Sequence, residues 1–264
     1  MANELLIRLG VFLGLFALFA VLEAIVPRRA RVQSRPRRWF TNLALVAMDS
    51  ATVQLMARVL PFIAVGAAVD ASLRGCGVFN ALHWPQWLEI VVAIAVLDLA
   101  IWAQHLLMHK VPLFWRFHLV HHADRDFDVT TALRFHPVEI AFSMFLKIGI
   151  VYLLGPAAAA VILFEIILNG SAMYNHANLR LPGKLDTALR LVLVTPDMHR
   201  VHHSVYRSEH DSNYGFALSL WDRIFRTYTS TPRDGHEGMT IGLEWQDDRP
   251  ARLAWALAMP FFEK

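Results

Sequence analysis

The chain is a succession of long apolar runs separated by short polar joints. Residues 4–26, "ELLIRLGVFLGLFALFAVLEAIV", form the first run. As a helix they extend roughly 34 Å, enough to cross a hydrocarbon core of about 30 Å. The run is too long for a signal-peptide core and lacks a small-residue cleavage site before the arginines that follow, so it predicts a retained membrane helix. Residues 42–69 predict a second span, more polar, with Asp49 and Gln54 inside it. "RGCGVFNALHWPQ" reads as a connecting loop, and residues 87–109, "WLEIVVAIAVLDLAIWAQHLLMH", as a third span. After a polar stretch from Pro112 to His136, residues 137–175 are apolar again. Gly155–Pro156 breaks that run, which predicts a hairpin of two short helices, either two spans or a re-entrant pair. From Leu181 onward the pattern is mixed and predicts elements at the membrane surface.

Composition agrees with this reading. Hydrophobic residues make up 56% of the 264, against about 45–50% in ordinary soluble domains. The single cysteine, Cys76, excludes an internal disulfide framework and cannot make a thiolate metal site unaided. The net charge of +3 owes much to "PRRARVQSRPRRW", residues 27–39, directly after the first span. Arginines in that position mark the cytoplasmic side and anionic lipid rather than nucleic acid. If this segment is cytoplasmic, the second span leaves and the third returns. The hairpin then crosses out and back, so everything polar on either side of it lies on the cytoplasmic face. The predicted architecture is an all-α, polytopic membrane helical bundle with a cytoplasmic helical cap.

The polar joints carry the candidate chemistry. Eight of the thirteen histidines fall in three five-residue windows: "HLLMH" (His105, His109), "HLVHH" (His118, His121, His122) and "HRVHH" (His199, His202, His203). Helical residues three and four apart share a face, with Cβ atoms about 5–6 Å apart, so each window aims two or three imidazoles at one point. Packing so many rings together without a metal or proton leaves nitrogens in need of partners. Eight donors exceed the three protein ligands of a typical catalytic zinc site and suit two metals with four or five ligands each. Imidazole by itself does not choose among iron, zinc, copper and nickel. Asp98 lies two helical turns before His105, on the same face; it either holds that ring's second nitrogen or makes a polar contact within the bundle. Glu165 and Lys147 sit in apolar runs, where they either line a lipid channel or pair across the hairpin. His210 reads as a surface or supporting residue. Asn213 and Tyr214, with "WDRIF", read as closing a cap over the metals.

HxxxH followed by HxxHH and a distant second HxxHH resembles the fatty acid hydroxylase/sterol desaturase superfamily, integral membrane non-haem di-iron oxygenases. "TTALRFHPVE" (130–139), "NHAN" (175–178), "TPDMHRVHHS" (195–204) and "NYGFALSLWDRIFRTY" (213–228) carry it further, so it spans about Ile90 to Tyr228. The motifs are specific for the superfamily and uninformative about substrate. The resemblance implies as metal ligands His105, His109, His118, His121, His122, His199, His202 and His203, with His136 of "HP" and His176 of "NHAN" added. It implies two irons, dioxygen as co-substrate, and hydroxylation or desaturation of a C–H bond in a membrane lipid. It also divides the chain into N-terminal helices and basic loop (1–84), catalytic part (85–230) and interfacial tail (231–264).

The electrons must come from elsewhere. "HPVE" is not a fused-cytochrome haem signature, no GxGxxG fingerprint occurs, and one cysteine holds no iron–sulfur cluster. A separate ferredoxin or cytochrome with an NAD(P)H reductase is therefore expected, in a bacterial inner membrane. Two other readings stay open. A membrane zinc hydrolase would usually carry HExxH, and "HLLMH" lacks its glutamate. A non-enzymatic haem or metal carrier would spread its ligands through the depth of the bilayer.

Overall fold

In the computed structural model, which describes residues 2–82 and 84–262, every regular element is helical. Helix α1 (Ala2–Ile25) is the first apolar run, as expected. Helix α2 (Arg35–Val59) begins seven residues before the expected span, because Pro36 fits the first turn of a helix. It then stops at Pro61. A proline cannot donate to the helix and pushes the residue before it out of the helical region; Leu60 is extended at φ −86°, ψ 143°. The second span is thus continued by a separate helix, α3 (Ala64–Arg74), and a short α4 (Val78–Leu82) lies in the segment expected to be loop.

Helix α5 (Gln86–Lys110) matches the third predicted span to within a residue at either end. Across the Val111–Pro112 corner follows α6 (Pro112–His122). The hairpin forms as predicted, with α7 (Pro137–Leu154) and α8 (Ala158–Asn175). Each has 18 residues, about 27 Å at the helical rise. Gly155 ends α7 in the left-handed region, φ 63°. A Cβ on Gly77 would lie 2.3 Å from the Gly155 nitrogen, so the two turns meet backbone to backbone at the end away from the histidines.

Among the described residues, five segments are long and apolar enough to cross a membrane. Large apolar side chains on them, such as Leu5, Leu13 and Leu153, face outward, as lipid contact requires. Inside, α5 packs on α8 around Leu97, Ile101, Phe164 and Met173, with α1 adding Phe12, Leu15 and Phe19. Helices α1 and α8 run in the same direction: Arg8 reaches Glu165, the Phe19 and Tyr174 rings are 5.9 Å apart, and Arg180 N–H donates to the Val26 carbonyl (3.1 Å). Lys147 also donates to Glu165 (2.8 Å), so the hairpin ionisable pair is joined within the bundle by a third charge from α1.

The cap is made of short helices, α9 (Gly183–Leu189), α10 (Pro196–His202), α11 (Arg207–His210), α12 (Leu220–Ile224) and α13 (Gly235–Gly238), and of the apolar α14 (Leu253–Phe262), which lies against α6. The arginine segment is part of this cap. Arg28 reaches Asp197 (3.2 Å) and Glu237 (2.9 Å), and Arg29 donates to the His236 and Met239 carbonyls, both at 2.6 Å.

Candidate metal centre

The ends of four helices meet under the cap, and each delivers histidines. His105 and His109 lie in the last two turns of α5. His118, His121 and His122 end α6; His176 caps α8; His199 and His202 lie on α10 and His203 caps it. All nine rings are buried.

The rings form two adjoining groups. One nitrogen from each of His105, His109, His118, His122 and His202 lies within 4.8 Å of the others, and His121, His176, His199 and His203 meet the same condition. Each HxxHH window is therefore shared out rather than aimed at one point. The i,i+4 pairs stay together, His118 with His122 and His199 with His203, while the middle histidines His121 and His202 go to the opposite groups. The groups touch through stacked rings, His122 on His203 (4.6 Å) and His199 on His202 (5.0 Å).

The hydrogen bonds fix where the protons are. His105 Nδ1 faces the Tyr214 carbonyl (2.8 Å), His121 Nδ1 the Arg134 carbonyl (3.2 Å), His176 Nδ1 the Ala172 carbonyl (2.8 Å) and His202 Nδ1 the Ser212 carbonyl (2.7 Å). His118 Nδ1 meets the Glu139 carboxylate at 2.8 Å. A carbonyl or carboxylate oxygen only accepts, so these Nδ1 atoms carry the hydrogen and each Nε2 presents a bare lone pair. Yet His105 Nε2 and His118 Nε2 face each other at 3.1 Å, and so do His176 Nε2 and His121 Nε2. His199 Nε2 and His203 Nε2 each stand 3.2 Å from His176 Nε2. Both nitrogens of His109 and of His122 have no hydrogen-bond partner among the described residues.

Lone pairs turned on one another at this distance repel unless a cation lies between them. Nitrogens 3.1–3.2 Å apart are spaced like neighbouring ligands on one ion with bonds of about 2.1 Å. Burial, reinforced by the neighbouring rings, holds His121, His122, His199, His202 and His203 far below the usual histidine range and brings His176 down to about 4. They are neutral, the form that binds metal. The donor set fits two transition-metal ions.

Two of the expected site residues lie elsewhere. His136 is in neither group: its Nδ1 accepts from Val138 N–H (3.2 Å), capping α7, and its Nε2 faces the Leu257 carbonyl at 3.3 Å. The following proline starts the helix there and turns the ring toward α14. Asp98 holds no histidine. It accepts from Trp221 Nε1 (2.8 Å) and Leu218 N–H (3.2 Å), because the cap reaches it before His105, whose own Nδ1 is taken by Tyr214. It ties α12 to α5.

Two carboxylates were missed. Glu139 in the first turn of α7 holds His118, and Asp211 lies 3.6 Å from His109 Nδ1 while pairing with Lys110 at 2.8 Å. Glu139 had a signal, since it sits one turn into a helix that His136–Pro137 starts; Asp211 had none. Asn213 adopts φ 53° and donates to the Met198 and Thr229 carbonyls (2.9 and 2.8 Å), and the buried Tyr214 ring lies against His105, His109 and His202. Both close the cap, as expected. His210 stacks on Trp115 at 5.3 Å, at the edge of the groups.

Comparison with known proteins adds an independent line. The family model for "Fatty acid hydroxylase" matches residues 90–227. An ornithine lipid hydroxylase, OlsE of Rhizobium tropici, is 28% identical over 227 residues, 84% of this chain and 67% of that protein. Human alkylglycerol monooxygenase is 28% identical over 167 residues, 61% of this chain and 35% of that enzyme. Human cholesterol 25-hydroxylase is 28% identical over 141 residues, 53% of this chain and 50% of that enzyme. The chain thus spans two thirds of the bacterial relative but only a third to a half of the human ones. No solved structure matches.

Proposed function

The chain belongs to the fatty acid hydroxylase family, whose relatives here are oxidoreductases, and on that premise we propose that it is a membrane di-iron oxygenase that hydroxylates a lipid. The observation that carries this reading is the two pairs of bare Nε2 lone pairs turned on one another inside the cap, His105 against His118 and His121 against His176.

His105, His109, His118, His122 and His202 would hold one iron, and His121, His176, His199 and His203 the other. When bound, the irons supply the activation of dioxygen that an unactivated C–H bond demands. The reaction balances as lipid C–H plus dioxygen, two electrons and two protons, giving lipid C–OH and water. The protein's own part is positional. Four carbonyls and the Glu139 carboxylate keep hydrogen on Nδ1 of His105, His118, His121, His176 and His202, which leaves Nε2 free and fixes the orientation of those rings. Burial keeps stray water from the site, and the apolar bundle keeps the lipid beside it.

Electrons arrive from a separate ferredoxin or cytochrome with its NAD(P)H reductase. The arginine segment is bound to the same cap that covers the histidines, through Arg28–Asp197 and Arg29. The rule that places juxtamembrane arginine inside then puts the site on the cytoplasmic face. The extent of likeness to a Rhizobium protein supports a bacterial inner membrane.

The test is elemental analysis and an optical scan of protein purified anaerobically in mild detergent. Roughly two irons per chain without a Soret band is expected from the ligand count. A haem spectrum, or a protein that takes up no iron on anaerobic reconstitution, would overturn the reading.

A further inference from the structure

Beside the first histidine group lies a cavity of about 340 Å³, open to the surface at the corner between α5 and α6. His109 forms part of its wall, and Trp115 and Leu243 give it an apolar side. Lys110, Arg207, Asp211 and Glu244 surround the mouth. Two smaller cavities, one between α1 and α8 and one beside the arginine segment, hold about 20 and 10 Å³, too small for a ligand. Leu97, Ile101, Phe164 and Phe216 fill the space toward the membrane, with the Phe216 ring 5.1 Å from His105.

The charges at the mouth are unevenly matched. Asp211 takes Lys110 at 2.8 Å and Arg207 at 3.5 Å, two cations on one carboxylate. Glu244 is exposed and makes no ion pair among the described residues. One positive charge is left for an anion and one negative charge for a cation, both at a mouth set where α5 leaves the apolar layer. Leu113, next to the lining Pro112, is exposed and offers an apolar exit to the bilayer.

From this geometry, and resting on the oxygenase reading above, we propose that the cavity seats the zwitterionic head of a membrane lipid, so that oxygen enters a carbon near the lipid's polar end rather than far along a chain. Asp211 lies beside a ring of the histidine group, His109 (3.6 Å), and pairs with Lys110 (2.8 Å), so a head held by these charges would lie against the edge of the first histidine group. A carbon far down an acyl chain would instead have to fold back through the packed Leu97–Phe216 layer.

Lipid retention by the metal-loaded full chain, read by native mass spectrometry, tests the seat without requiring turnover. Dipalmitoyl phosphatidylcholine should be retained in preference to dipalmitoyl phosphatidylglycerol, and free phosphocholine should not displace it. Glu244→Gln and Arg207→Gln should each reduce the preference roughly threefold to fivefold, the worth of one exposed charge pair. Equal retention of both lipids, unaltered preference in both variants, or displacement by phosphocholine alone would overturn the proposal. Turnover of a bacterial lipid extract with isotope-labelled dioxygen then locates the inserted atom. Label in fragments containing the head or glycerol supports the proposal, and label confined to chain fragments overturns it. No label in any lipid, with the zwitterionic preference intact, would support the seat and count against the oxygenase reading instead.

Discussion

Two polar clusters are buried at the same end of the molecule, and they are built on opposite terms. Around Arg38 the groups satisfy one another. The guanidinium donates to Asp124 twice (2.6 and 2.8 Å) and to Asp128 (2.8 Å). Asp124 also accepts from Asn42 and Thr131, and Asp128 from Thr130 and Trp39. Burial alone would raise both carboxyls, but the guanidinium overrides it, holding Asp124 below the usual carboxylate range and Asp128 down to about 2. The histidine groups have the same depth and density but leave lone pairs facing lone pairs. A cluster closed on itself serves the fold, here clasping α2 to the loop after α6. A cluster that lacks one positive centre serves a ligand.

Removing one member should therefore do different things in the two places. Arg38→Ala leaves Asp124 and Asp128 buried without their cation and should cost about 3–5 kcal/mol, read as a collapse of the melting temperature in detergent and of extractable folded protein. An unchanged melt would mean that the cluster does not hold the cap. His121→Ala and His202→Ala, one from each group, should abolish turnover and each lower the bound metal by about one ion per chain. The metal-free protein should melt no lower than wild type, because a crowd of lone pairs has been relieved. A fall in stability like that of Arg38→Ala, with metal content intact, would make the rings structural.

The contrast also explains what could be read from the sequence. The spans were legible because lipid imposes unbroken apolar length, and the Gly155–Pro156 and Pro112 breaks are set by the backbone itself. The histidine windows were legible because one helical face gathers them, but their division was not. Which group His121 or His202 joins depends on how α6 and α10 face each other, which no local spacing encodes. The arginine segment looked like a lipid-facing mark. Arg28, Arg29 and Arg38 instead spend their charge on Asp197, Glu237, Asp124 and two carbonyls, partners 86 to 210 positions away along the chain. The two readings left open for Asp98 could not be separated for a related reason: sharing a face with His105 is a local fact, but Trp221 and Leu218 come from a distant turn and reach it first.

Smaller effects sharpen the boundary between the two kinds of cluster. Glu139 belongs to the histidine side, since its carboxylate accepts from the His118 ring. Glu139→Gln keeps an acceptor but loses the charge that makes the ring a stronger donor of its lone pair. Metal affinity should fall about tenfold, the low end for such partners, with little change in the melt. Equal affinity would place Glu139 with the structural residues.

Asp98 should behave in the opposite way. Its two partners are an indole N–H and a backbone N–H of the cap, and Asp98→Asn retains one accepting oxygen. The expected loss is about 1 kcal/mol of stability, that of one charge-assisted bond made neutral. Metal affinity should stay at the wild-type value, because His105 keeps its proton on Nδ1 through Tyr214 whatever stands at position 98. Titrating iron into the Asp98→Asn and Glu139→Gln proteins side by side makes the comparison direct. If both lose affinity equally, Asp98 reaches the site through the α5 helix after all, and contact with a ring would no longer separate residues that hold the metals from those that hold the cap.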